Sequence, residues 1–150
     1  MVYVDWKINW VDINSDITRL VDNCFNVIVL SFWMDTRGLV DAGLTFSQQS
    51  VQKRQEAIQY AEARGAKIII SAGGATEHVE HFFKGSVAQS TAHGTDYGTR
   101  AAQAANDLGL HGVDFDLELS PGNNGPFHSG HMQAFCVAAS AAARATLQKW

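Results

Sequence analysis

Three carboxylates alternate with apolar residues between positions 111 and 118, where the sequence reads His-Gly-Val-Asp-Phe-Asp-Leu-Glu. Because successive side chains of a β-strand point to opposite faces, we expect Asp114, Asp116 and Glu118 to share one face, and we call them the acid row. Neighbours in the row are about 6.5–7 Å apart, since each step spans two residues. Repulsion and loss of solvent raise the pKa of at least one carboxyl in such a row, which prepares it for general acid catalysis. The acid row is therefore the predicted functional site.

The acid row also fits two alternative roles. On the exposed face of an edge strand, carboxylates cost nothing and need no function. Spaced carboxylates also bind hard cations such as Mg²⁺ or Ca²⁺. The neighbouring Gly112 and the apolar residues between the acids favour a strand held inside a sheet. The spacing of His and Cys residues resembles no zinc site, and we expect neither a metal nor another cofactor.

The bulk composition limits the function classes. The chain has 150 residues, 46% of them hydrophobic, which predicts one domain over residues 1–150 with a sizeable core. With a net charge of −4 and no run of Lys or Arg, nucleic acid is not an expected partner. The longest early apolar run, about 27–34, is far short of the ~20 residues that span a bilayer, so no membrane partner is expected. The first residues show no basic leader, which leaves the cytoplasm, or secretion after loss of a leader, as the predicted compartment.

The elements that must position the acid row alternate in type along the chain. Apolar runs predict four strands, at 2–6, 26–34, 66–72 and 112–117. Helical patterns follow them at 16–23, 47–64, 95–108 and from about 129 onward, with a short helical turn at 76–83. Strand and helix repeated four times predict an α/β fold with a parallel sheet and right-handed crossovers. Glycine-rich stretches follow the strand ends, where α/β proteins place their sites.

Two motifs resemble a known family. The segment Asp114-Phe-Asp-Leu-Glu118 resembles the catalytic strand of family-18 glycoside hydrolases, the chitinases and chitinase-like lectins, whose signature is Asp-x-x-Asp-x-Asp-x-Glu. The segment Lys67-Ile-Ile-Ile-Ser-Ala-Gly-Gly74 is similar to that family's third-strand motif, Ser-x-Gly-Gly after an apolar run. The resemblance spans the whole chain but only the first half of the family's fold. It implies four βα units that form half of a (β/α)8 TIM barrel.

The resemblance also implies an activity, the hydrolysis of β-1,4-linked N-acetylglucosamine polymers such as chitin. In this retaining mechanism the substrate's own N-acetyl group is the nucleophile, an exception to the scheme of two catalytic carboxylates. Glu118 would protonate the glycosidic oxygen, and Asp116 would orient the acetamide and stabilise the oxazolinium charge. Asp114 would lie deeper and share a proton with Asp116.

Further residues are implied to support catalysis and sugar binding. Ser71 would hold the inner aspartates by hydrogen bonding, and Gly73 and Gly74 would let backbone and substrate come close. Aromatic residues are expected to contact the sugar at Tyr3, Phe32 and Trp33.

The sequence departs from the family in two respects. His111 stands where the signature has its first Asp. A complete barrel takes about 250 residues, and the Tyr, Asp and Trp that the family's later strands supply have no place here. Three functions therefore remain open: a chitin hydrolase, a lectin that binds N-acetylglucosamine oligosaccharides without turnover, and a self-associating scaffold with no ligand.

Half a barrel has two unpaired edge strands and an uncovered inner face. The sequence therefore predicts a homo-oligomer, in which a dimer covers the open half barrel.

Overall fold

The computed structural model describes residues 1–5, 13–118 and 130–149, which form a parallel sheet with helices alternating along the chain. The strands are β1 (Val2–Val4), β2 (Val27–Met34), β3 (Gly38–Leu39), β4 (Lys67–Gly73) and β5 (Val113–Asp116). Strands β1, β2, β4 and β5 lie side by side in that order and run parallel. The short β3 folds back antiparallel on the end of β2. The predicted α/β class with parallel strands is confirmed.

The described residues also form five α-helices: α1 (Ile13–Asp22), α2 (Asp41–Ser47), α3 (Val51–Glu62), α4 (Val87–Leu108) and, after the last strand, α5 (His131–Thr146). A 3-10 helix, Val79–Phe83, precedes α4. None of the described helices combines the length and hydropathy that a bilayer crossing requires.

Several predicted boundaries are wrong. The helix predicted at 47–64 begins later, as α3, because the Ser50 side chain, rather than Ser47, caps it by accepting from the Lys53 amide at 3.3 Å. The preceding helix α2 was not predicted. Helix α4 begins at Val87 instead of 95, since Ser86 and Gln89 form a reciprocal capping box. The hairpin strand β3 was not predicted. Trp6, the end of the first predicted strand, and residue 129 lie outside the described residues.

Two glycines within α4 allow a close approach between helices. A Cβ at Gly94 would lie 2.3 Å from the carbonyl oxygen of Phe135, and one at Gly98 would lie 2.1 Å from that of Ala139. Glycine therefore lets α4 and α5 pack at backbone contact distance, a gain that offsets its poor helix propensity.

One face of the sheet builds the core. Its strand side chains have no exposed surface: Val4, Ile28, Leu30, Ile68, Ile70 and Ala72. They pack with apolar residues of the helices, such as Ile17 and Ala101. Burial of each large aliphatic side chain contributes roughly 1.5–3 kcal/mol, so this face holds the sheet together.

The opposite face carries polar residues at matched positions. Ser31 of β2 pairs with Ser71 of β4, and Ser71 pairs with Asp114 of β5. Two residues further along, Gly73 pairs with Asp116. The register of β2 shifts between Ser31 and Trp33, and the Ser31–Phe32 peptide bond is cis. Register thus places the polar residues in one row near the C-terminal ends of the strands.

Candidate functional site

Strand β5 positions the acid row. Asp114 and Asp116 lie within the strand, and Glu118 follows two residues after its end, with an exposed side chain. The alternating Val113 and Phe115 pack against the core on the helix-facing side. Strand β5 therefore packs against the core with one face and presents carboxylates on the other.

Asp114 is held by two hydroxyl donors. Its Oδ2 accepts a hydrogen bond from the buried Ser71 hydroxyl at 2.9 Å and another from the Tyr3 hydroxyl at 3.0 Å. Tyr3 belongs to β1, which is three strand spacings from β5, or about 14 Å in a flat sheet. The contact therefore indicates that the sheet curls around the acid-bearing face.

Asp116 is the acid whose protonation is most affected by its surroundings. Burial raises the pKa of its carboxyl, and the charges of Glu118 and Asp114 raise it further. Burial and the bond to Asp114 also raise the pKa of the Tyr3 hydroxyl, which stays a donor. The site thus combines a carboxyl that retains its proton more readily than usual with a neighbour fixed by two donors.

Gly73 and Gly74 form a close contact between strands. Gly73 has a φ of 121°, and a Cβ there would lie 2.0 Å from the Asp116 carbonyl oxygen. The Gly74 amide donates to that same oxygen at 2.8 Å. A Cβ at Gly74 would lie 3.0 Å from the Phe32 ring. The two glycines therefore fix the backbone of Asp116 and give the Phe32 ring its place beside the site.

Trp33 lies on the helix-facing side of the sheet, away from the acid row. Its side chain is only 7% exposed and packs in the core, edge-on to Tyr97 with ring centroids 5.2 Å apart. The ring offers little surface here, and the expected contact between sugar and Trp33 stays a prediction. Phe32 is half-buried and Tyr3 is 45% exposed on the acid-bearing side.

His111 makes structural contacts at the N-terminal end of β5. Its buried ring accepts from the Ile68 amide at Nδ1, 3.1 Å, and its Nε2 lies 2.9 Å from Glu62 Oε1. Lys149 donates to the same Glu62 oxygen at 3.0 Å. A polar groove of about 450 Å³ lies beside these residues at the N-terminal end of the strands. This cluster is separated from the acid row by the length of β5.

Polar residues at the rim were missed by sequence reasoning. Glu77, in the loop after β4, is 3% exposed and accepts from the Asp35 amide at 2.7 Å. The Asp35 carboxylate pairs with Arg100 of α4. The available signal was position, since both acids follow the C-terminal end of a strand. Within the described segments, no group of three His, Cys, Asp or Glu side chains is arranged to hold a metal ion.

A likeness to one solved structure supports the architecture. A protein from Streptomyces coelicolor, assigned as a chitinase A, aligns with a TM-score of 0.50 and 23% identity over 82% of this chain. The alignment covers 40% of that protein, so this chain spans about two fifths of its length. No protein-family profile and no curated protein matches the chain. The likeness indicates a chitinase-like α/β fold, with a parallel sheet that corresponds to part of a TIM-like barrel.

Proposed function

We propose that the chain hydrolyses β-1,4-linked N-acetylglucosamine oligosaccharides, with the acid row as its catalytic group. The observation that carries the proposal is the environment of the row. Asp114 is fixed by Ser71 and Tyr3, and the pKa of Asp116 is raised by burial and by the charges on both sides. Perturbed carboxyls gathered at the C-terminal ends of parallel strands are typical of catalytic sites in this class of fold.

Each acid has a role that its surroundings permit. Glu118 is exposed at the outer end of the row, where it can reach a glycosidic oxygen and donate a proton. Asp116 is half-buried, and its raised pKa lets it share a proton with Asp114 before it orients the substrate's acetamide. Asp114 accepts two hydroxyl hydrogen bonds, which fix the orientation of its carboxyl group. The substrate's N-acetyl oxygen then attacks the anomeric carbon in place of a protein nucleophile.

Sugar binding is assigned to the face that bears the acids. Tyr3 and Phe32 supply ring surface there, and Ser71 orients the inner aspartate. Gly73 and Gly74 keep the backbone beside Asp116 free of side chains. Apolar ring faces and few, fixed polar groups are what oligosaccharide sites require.

A lectin that binds the same oligosaccharides without turnover is the second candidate. This candidate is favoured by the burial of Trp33, which leaves little exposed ring surface at one of the three aromatic residues expected to contact the sugar. Binding also needs less precise substrate positioning than catalysis does.

Self-association over the open face stays a prediction. Strands β1 and β5 are the edges of the described sheet. An unpaired edge strand favours the addition of another strand, which would extend the sheet over the open face. We expect a dimer in light scattering at micromolar concentration, whereas a compact monomer would contradict this expectation.

The activity is tested with a chromogenic chitobioside or chitotrioside. Wild type should release chromophore, and Glu118→Gln should reduce the rate by about 100- to 10,000-fold, the usual contribution of a general acid. The matched control is Glu56→Gln, an exposed carboxylate on α3 that should leave the rate unchanged. Release that survives Glu118→Gln would rule out Glu118 as the acid. Binding without release by wild type would favour the lectin.

A further inference from the structure

We propose that Glu77 is a positioning residue: its carboxyl fastens the loop after β2 to the loop after β4 and thereby holds the Phe32 ring beside the acid row. The proposal rests on the proposed function in one respect, because it assumes that Phe32 contacts the sugar. It adds a residue that the resemblance does not implicate.

The first observation is that a single carboxyl bridges two strand ends. Glu77 Oε2 accepts from the amide of Asp35, the residue directly after β2, at 2.7 Å. Its own amide donates to the Gly74 carbonyl at 2.9 Å, which folds the loop after β4 into a tight turn. The contact therefore ties the C-terminal ends of two neighbouring parallel strands together, on the rim where the site lies.

The Phe32 ring lies next to the two loops that Glu77 joins. It packs against Gly74, where a Cβ would lie 3.0 Å away, and its amide and carbonyl both bond to Val40. Arg37 reinforces the same junction by donating to the Thr76 hydroxyl. If the loop after β2 moves away from Glu77, the Phe32 ring loses its fixed position against Gly74.

The second observation is that this carboxyl is expensive to bury. Glu77 is 3% exposed, and its Oε1 has no hydrogen-bond partner among the described residues. A buried carboxyl oxygen without a hydrogen-bond partner lowers the stability of the fold. An apolar residue would avoid that cost, so the acceptor that Glu77 offers to the Asp35 amide accounts for a polar side chain here better than packing does.

The surroundings make the contact dependent on protonation. Burial raises the pKa of Glu77 most, and the Asp35 charge raises it too, while the Asp35 amide, His81 and Arg37 lower it. Arg100 and Tyr97 of α4 also face this pocket, and the Tyr97 hydroxyl is likewise buried without a hydrogen-bond partner in the described part of the chain. Because the pKa of Glu77 is raised in the folded state, the neutral carboxyl stabilises the fold, and this contribution is lost as the pH rises through that pKa.

Hydrogen exchange at the Asp35 amide tests the contact without any sugar. In wild type, protection should fall as pH rises through the raised pKa of Glu77, after correction for the intrinsic exchange rate, because opening of the loop lets the ionised carboxyl reach water. Glu77→Gln keeps an acceptor and cannot ionise, so its protection should stay constant with pH. Glu77→Leu should lose protection at every pH. Glu56→Gln, at an exposed carboxylate on α3, should behave as wild type, and the Ile70 and Gly74 amides report an intact sheet.

Equal protection of Asp35 in wild type and Glu77→Leu would overturn the proposal. The same pH dependence in wild type and Glu77→Gln would overturn its protonation part, even if Glu77→Leu failed to fold.

Sugar titration separates this proposal from the proposed function. Where wild type binds chitotriose, Glu77→Leu should bind it about ten- to hundredfold more weakly, because a small displacement of the Phe32 ring weakens its contact with the sugar. Glu77→Gln should bind chitotriose with the affinity of wild type. Unchanged affinity in Glu77→Leu would contradict a positioning role. If no variant binds sugar but the exchange pattern holds, the proposed function fails while the loop contact stands.

Discussion

Strand β5 has a polar cluster at each end, and the two differ in how their charges are arranged. At the N-terminal end, His111 and Lys149 both contact Glu62, and the bond from Lys149 lowers the pKa of that carboxyl. At the C-terminal end three acids lie together, and burial with like charges raises the pKa of Asp116. Paired groups stabilise a fold, whereas gathered like charges cost stability and are kept where chemistry needs them.

The largest effect is expected from a substitution at the C-terminal end, Gly73→Ala. The new methyl group would lie 2.0 Å from the Asp116 carbonyl oxygen, in a backbone conformation with φ of 121°. Strand β5 must shift, and we expect a loss of about 2–3 kcal/mol in the free energy of unfolding. Chemical denaturation measures this loss of stability. The rate of sugar hydrolysis should also fall at least tenfold, because Asp116 moves.

Gly65→Ala is the matched control for that substitution. Gly65 also has a positive φ, 71°, but a Cβ there would meet nothing within 4 Å. It should cost only about 1 kcal/mol and leave hydrolysis unchanged. Equal losses of unfolding free energy in Gly73→Ala and Gly65→Ala would show that the contact with Asp116 does not affect stability.

At the N-terminal end, His111→Ala should affect stability alone. It leaves the buried Ile68 amide without its acceptor and Glu62 without one donor, which costs about 1–3 kcal/mol. Lys149→Ala removes the exposed partner and should cost less than about 1 kcal/mol. Thermal unfolding measures both changes. A loss of sugar hydrolysis in folded His111→Ala would contradict the separation of the two ends.

The smallest effect is expected from Asp116→Asn, and its sign is the informative part. Because the folded pKa of Asp116 is raised, its contribution to stability is lost as pH rises through that pKa. The variant should therefore be more stable than wild type at neutral pH, by less than about 1 kcal/mol, and equal to it in acid. Glu62, with its lowered pKa, loses its contribution as pH falls instead. Denaturation across pH measures both, and a destabilised Asp116→Asn at neutral pH would contradict the account.

Sequence patterns predicted the sheet and the acid row because both depend on local alternation. Apolar runs identified β2 and β4 to within a residue, and the period of two placed Asp114 and Asp116 on one face. The start of α4 was missed because the residues before 95 are mostly polar and resemble a link between elements. Only the close approach of Gly94 to Phe135 shows why a glycine stands within this helix.

The face on which Trp33 lies and the partner of Glu77 could be known only from the three-dimensional structure. The register shift of β2 after Ser31 decides which face Trp33 takes, and no periodicity in the sequence reveals that shift. Glu77 meets Asp35 across 42 positions of the chain, so their contact exists only after the strands pair. Single residues at strand ends therefore depend on tertiary structure more than the strands themselves do.

The most direct test is an amide NMR titration of the Glu118→Gln chain with chitotriose, since this substitution should leave the sugar intact. The account predicts shift changes concentrated at residues 31–32, 71–74 and 114–118, on the acid-bearing face. Changes centred on Glu62, Asn106 and Lys149, which line the groove at the other end of the strands, would contradict it, as would no change at saturating sugar.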